Sequence, residues 1–185
     1  DAAAPAAWGV FARGDTGEEW VAAVLDRAAE AFPEASVSFA GRGDPLAHPE
    51  ALAILAHARD AGFRFVHVRT DPVNEHTTLA RLRNLADVIS LDLLANSAET
   101  YKTVTGRDSF DRAVEGVEAL ISEREGTLPW IAPRMTRCTA TLSDIEGFYD
   151  RWLLRCRAAV IDPLPNAAGD GRIAPLSIPA IARTR

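Results

Sequence analysis

Two hydrophobic periods alternate along the chain. Short apolar-rich runs occupy residues 35–40, 63–69, 87–93, 130–135 and 158–162, that over 87–93 nearly continuous. Between them lie longer segments with apolar residues three and four positions apart. Runs of the first kind predict strands, that over 87–93 covered on both faces, and segments of the second kind predict amphipathic helices. Val21, Leu25, Ala28 and Phe32 share one helical face, which Thr16 and Glu19 introduce as a T-x-x-E capping box and Pro33 stops. The next helix is expected from about Pro49 to Ala61, with Leu52, Leu55 and Ala56 inward and Gly62 as its stop. Further helices are predicted over 75–85 (Leu79, Leu82 and Leu85 inward), 97–103 and 109–123 (Phe110, Val114, Val117 and Ile121). A final helix follows, in which Thr141 caps a stripe of Leu142, Ile145, Tyr149, Trp152 and Leu153. Trp8 to Ala12 is a candidate for an additional first strand.

Strands alternating with helices this regularly imply right-handed crossovers and an all-parallel sheet with helices outside. The pattern alone leaves two architectures open, an open doubly wound sheet and a partial (βα)5–6 barrel. In both, ligands bind at the carboxyl ends of the strands. Residues 1–14 read as a linker or first strand, 15–165 as the α/β unit, and 166–185 as a Pro/Gly-rich tail.

Composition narrows the classes of function. The 185 residues are 48% hydrophobic and 25% charged, with a formal charge of -6. That charge argues against nucleic acid as a partner, which requires a positive surface. No apolar run has the length of a membrane span and no signal peptide is visible, so no membrane partner is expected, and the free thiols expected at the two cysteines fit a cytoplasmic setting. Cys138 and Cys156 are the two cysteines; they lack zinc or disulfide spacing and are expected as buried free thiols. The four histidines, His48, His57, His67 and His76, lack metal-ligand spacing, and ordinary structural roles are expected for them.

The most informative stretch is residues 36–46, Ser-Val-Ser-Phe-Ala-Gly-Arg-Gly-Asp-Pro-Leu. A buried strand runs into a turn bracketed by Gly41 and Gly43 and ending in the carboxylate of Asp44. The G-x-G is not a dinucleotide fingerprint, because Leu46 stands where the third Gly belongs. Asp71, Asp92 and Asp162 follow or end strands, where a carboxylate serves equally as a cap or a ligand contact.

Together these segments resemble the radical S-adenosylmethionine (radical SAM) superfamily. Residues 37–46 with His48-Pro49 look like that family's second strand and its Gly-Gly-Glu-Pro-Leu turn. Residues 58–70 look like its next helix and a strand usually ending Thr-Asn-Gly, and residues 86–92 like its fourth strand. Glu99, Tyr101, Thr105-Gly106 and Phe110 match a further family segment, and residues 175–185 resemble the approach to a SPASM extension. The resemblance implies a partial TIM-like barrel that binds S-adenosylmethionine and a [4Fe–4S] cluster. It implies that Gly41, Gly43 and Asp44 hold the methionyl amino group, that Ser90 or Asp92 faces the ribose, and that Arg134 partners the carboxylate. The implied partners are a peptide or small-molecule substrate, or other domains of a longer parent protein.

The chain departs from the family in three places. The cluster motif C-x-x-x-C-x-x-C is absent, so no residue here takes the place of its three thiolates. Either the cluster loop is deleted or the chain was cut downstream of it. Asp44 replaces Glu, and Asp71-Pro72 replaces Asn-Gly. The expected protein is the barrel domain of a radical SAM-like Fe–S oxidoreductase or peptide- or small-molecule-modifying enzyme, lacking its cluster segment and inactive alone. The alternatives are a degenerate barrel acting as a docking module, and an unrelated small α/β enzyme using strand-end Asp residues.

Overall fold

A computed structural model of the chain describes residues 16–41 and 43–163. The candidate strand at 8–12 and the tail from 166 lie outside the described residues. The elements run α1 (Glu18–Ala31), β1 (Ser36–Phe39), α2 (Ala51–Asp60), β2 (Phe65–Thr70), α3 (His76–Leu85), β3 (Val88–Leu94), α4 (Ala98–Thr105), α5 (Phe110–Ser122), β4 (Trp130–Arg137), α6 (Ile145–Cys156) and β5 (Val160–Pro163). Short 3-10 turns cover Pro45–Ala47 and Thr139–Asp144.

All five strands are parallel, in the order β1-β2-β3-β4-β5. The order never reverses, so the described sheet has no switch point of the doubly wound kind. Sequential parallel neighbours joined by right-handed crossovers carry their helices on one face, as in the wall of a (βα) barrel. The side chains agree. Val66, Val68, Ile89, Leu91, Leu93, Ile131 and Met135 are fully buried and join Leu55, Leu79, Leu82, Val117, Leu120 and Trp152 in one core. Alternate residues on the same strands point to the other face, which no described helix covers.

Three local expectations are corrected. The Thr16–Glu19 capping box does not form: α1 opens at Gly17 without a side-chain cap. Its first N–H groups are served from a distance instead, Glu18 N donating to Glu50 Oε2 at 3.1 Å, while the Thr16 carbonyl accepts from His48 Nε2 at 3.0 Å. Phe32 falls just past the helix and is 67% exposed. Pro49 does not open the following helix. Asp44 caps a 3-10 turn that begins at Pro45, and α2 starts only at Ala51, burying Ala51, Ile54, Leu55 and Ala58.

Thr141 does not cap α6. It lies inside a 3-10 turn, where its Oγ1 donates to the Thr136 carbonyl at 2.7 Å and accepts from Cys138 N at 3.0 Å. A 3-10 turn advances about 20° more per residue than an α-helix, so a stripe drawn through the junction loses phase. The buried residues of α6 are Phe148, Trp152 and Cys156, while Leu142, Tyr149 and Leu153 are exposed. Cys138 and Cys156 are both free and buried. Among the described residues, no helix is long and apolar enough to cross a membrane.

Candidate functional site on the open sheet face

The face without helices is polar. Ser38, His67, Arg69, Ser90, Asp92, Arg134 and Asp162 alternate with the core residues of their strands and lie within two hydrogen-bonded rows. In the first row, Ser38 Oγ lies 2.7 Å from His67 Nδ1, and His67 Nε2 lies 2.9 Å from Ser90 Oγ. In the second, Arg69 Nε donates to both oxygens of Asp92 at 2.9 Å. Arg134 follows, with its Nε 3.7 Å from Asp92 and an Nη donating to Asp162. Register brings the rows together: Ser38 pairs with His67, Arg69 with Ser90, and Asp92 with Arg134, while His67–Ser90 and Arg69–Asp92 run diagonally between adjacent strands.

Electrostatics follow from this packing. Burial lowers the His67 pKa, and the positive charges of Arg134 and Arg69 lower it further, so the imidazole is held neutral. Burial raises the Asp92 pKa; hydrogen bonding and attraction from Arg69, then Arg134, oppose this, and Asp162 adds to it. Two guanidinium and two carboxylate groups make the second row neutral in sum. Yet Arg134 Nε is buried with no hydrogen-bond partner, and an unpaired buried donor is costly.

A second cluster stands at the carboxyl ends of β1 and β2. Asp44 Oδ1 accepts from Leu46 N at 2.9 Å and Thr70 Oγ1 at 2.7 Å; Oδ2 accepts from Asp71 N at 2.9 Å and Asn74 Nδ2 at 2.8 Å. A carboxylate offers about four acceptor positions, and all are taken. Asp71 in turn accepts from Val73 N at 3.0 Å and Arg107 at 2.6 Å. Just before Asp44, Gly41 and Gly43 have φ of +135° and +95°, values that L side chains rarely adopt. A Cβ on either would meet no atom within 4 Å, so backbone conformation, not crowding, requires glycine there.

The sequence-derived candidates therefore fall into two groups. Gly41, Gly43 and Asp44 form the strand-end turn, joined to Asp71. Ser90, Asp92 and Arg134 stand on the open face. Adjacent residues of β2, Arg69 and Thr70, belong one to each group and bridge them. Sequence reasoning missed Ser38, His67, Arg69 and Asn74 as members. The signal for His67 and Arg69 was present in β2, where they alternate strictly with Val66 and Val68.

No family model matches the chain. Similarity does extend to proteins described as probable GTP 3',8-cyclases, which are radical SAM enzymes, from strains of Saccharolobus islandicus. One is 29% identical over 114 residues, covering 58% of this chain and 37% of that protein. Another is 30% identical over 115 residues with the same coverage. The chain thus spans well under half the length of these relatives, and the similarity is distant and partial. It is of one kind with the parallel α/β fold and with the resemblance read from the sequence.

The cofactors of that superfamily fit unequally. The cluster does not fit. Cys138 Sγ is packed against Thr141, Cys156 donates to the carbonyls of Trp152 and Ala158, and no group of three His, Cys, Asp or Glu residues suited to a metal occurs among the described residues. S-adenosylmethionine fits better: among the described residues, Arg134 Nε lacks a hydrogen-bond partner, and a Cβ on Gly41 or Gly43 would meet open space.

Proposed function

We propose that this chain is the barrel of a radical SAM-like protein whose open sheet face and strand-end turn receive S-adenosylmethionine and a substrate. The observation that carries this reading is a sequentially ordered parallel sheet whose helix-free face is polar and cross-linked rather than apolar. Arg134 Nε would meet the cofactor's carboxylate, and Ser90 or Asp92 its ribose. Gly41 and Gly43 would let its amino group approach the backbone. In the superfamily the cofactor supplies an organic radical, but no radical step is assigned to these residues, because they hold no cluster ligands. The work of the chain is to orient ligand and substrate and to exclude water. The parent protein would be an Fe–S oxidoreductase or a peptide- or small-molecule-modifying enzyme, with a SPASM-type extension as the neighbour of residues 175–185.

One observation favours a second reading, a degenerate barrel used for docking. Asp44, the expected partner of the methionyl ammonium, has no free acceptor. It is also one methylene shorter than the family's Glu, about 1.5 Å. The expected outcome for this chain is a dissociation constant on the order of 1 mM, roughly 4 kcal/mol of binding. Calorimetric titration with S-adenosylmethionine measures it. Micromolar binding that disappears in Asp44→Ala, at a temperature where the variant is folded, would overturn the weak-site expectation and the degenerate reading together. Absence of any binding at millimolar cofactor would remove the ligand-face reading.

A further inference from the structure

At the opposite end of the sheet, where the strands begin, lies a cavity of about 500 Å³ that the proposed function does not use. Its wall includes Arg124, just past α5, Arg157, just past α6, and Leu128 and Trp130 at the start of β4. We infer that this cavity is a binding site for a flat aromatic anion, of the chemical class of a nucleoside monophosphate.

Charge gives the first argument. Seven arginines are ion-paired: Arg59, Arg64, Arg69, Arg83, Arg107, Arg134 and Arg155. Arg124 and Arg157, like Arg27, Arg81, Arg112, Arg137 and Arg151, have no ion-pair partner among the described residues, and they are the two of these that line this cavity, although the chain as a whole carries an excess of acidic groups. Each stands just beyond a helix C-terminus, which contributes about half a negative charge. Two full positive charges outweigh that, and none of the described residues that line the cavity is acidic.

Exposure gives the second. Trp130 is 51% exposed and Leu128 52%, and both line the same cavity. An indole and two guanidinium groups lining one cavity suit a ligand that is flat and apolar at one end and anionic at the other. Backbone conformation gives the third. Arg157 has φ +61° at the α6 C-cap, a left-handed position where glycine is the easy choice. An arginine there puts a cation at the cavity edge at a conformational cost. The cavity volume falls in the range of small-ligand pockets. The Cys156 thiol at its base takes no reactive part: it is buried, it donates to backbone carbonyls, and burial raises its pKa.

Titration of the full chain with adenosine 5'-monophosphate, followed by calorimetry, tests the site, with adenosine and inorganic phosphate as partial probes. The nucleotide is expected to bind at least about tenfold more tightly than either part. Arg157→Gly removes the charge and relaxes the backbone, so its melting temperature should not fall, yet nucleotide binding should weaken about tenfold, the scale of one lost charge-assisted contact. Trp130→Leu should weaken adenosine and nucleotide alike. Failure of the nucleotide to bind at millimolar concentration, equal binding of adenosine and nucleotide, or binding untouched by Arg157→Gly would each overturn the inference. None of these outcomes bears on the opposite rim, so this site and the cofactor face stand or fall separately.

Discussion

Replacing Asp44 with Ala tests what this carboxylate does in the fold. It accepts four hydrogen bonds, from Leu46 N, Thr70 Oγ1, Asp71 N and Asn74 Nδ2. These tie the turn after β1 to the loop after β2. A hydrogen bond to a charged group contributes about 1.5–3 kcal/mol. The site is half-buried, so water recovers part of that for the freed donors, and a loss of about 3 kcal/mol is expected for the whole set. For a domain of this size that lowers the melting temperature by roughly 6–12 °C. Asp44→Asn should cost about 2 kcal/mol. It keeps one acceptor oxygen, but it turns an amide N–H₂ toward donors that need an acceptor. Urea unfolding of the three proteins gives the ordering wild type, Asn, Ala. A loss below about 1 kcal/mol for Ala would show that the four contacts do not hold the loops. A gain in stability would mark Asp44 as a group kept for binding at the expense of the fold.

Two further outcomes follow from packing and charge. Because burial and two arginines lower the folded-state pKa of His67 below its ordinary 6.5, the unfolded chain takes up the proton first as pH falls. Stability therefore declines below about pH 6.5 until the folded-state pKa is reached. Asp92, raised above 3.8, acts oppositely at lower pH, where the folded state takes up the proton first. Melting temperatures from pH 7 down should show the decline in wild type and a flatter profile in His67→Gln; parallel profiles would refute the assignment. Gly116→Ala places a Cβ 2.1 Å from the Pro72 carbonyl oxygen. The helix-propensity gain of about 1 kcal/mol is smaller than the overpacking cost, and a net loss of about 2 kcal/mol is expected by urea unfolding. A neutral result would mean that α5 and the Pro72 loop are not in close contact.

The strand–helix alternation was legible because each strand is a short apolar-rich run and most helices show an apolar stripe. The parallel sheet followed from that, while its unreversed order depends on which strands are neighbours, information carried by no single segment. Asp92 and Arg134 could be picked out as polar residues in apolar strands. Arg69 and His67 stand out by their alternation, but their roles could not be assigned from hydrophobicity alone, because their partners lie on neighbouring strands 23 and 29 residues away in sequence. Thr16 shows the opposite failure: a sound local capping signal was displaced by Glu50 and His48, 32 residues on. At Thr141 the geometry changed from 3-10 to α within one segment, which a single helical period does not describe.

The polar rows and the open face explain each other. A five-stranded sheet with helices on one side leaves its other side exposed unless something covers it, and an apolar face there would be an aggregation site. Serines, a neutral histidine and alternating Arg and Asp residues let that face meet water or a polar ligand with nearly every group paired. The same pairing limits affinity. A zwitterionic ligand that uses Arg134 must compete with Asp92 and Asp162, and one that uses Asp44 must displace a backbone or side-chain donor. Among the described residues, the Nε of Arg134 is the buried donor on this face that has no hydrogen-bond partner, so a ligand acceptor there adds a hydrogen bond without first breaking one. Occupancy of this face should therefore depend on Arg134 more than on Asp44.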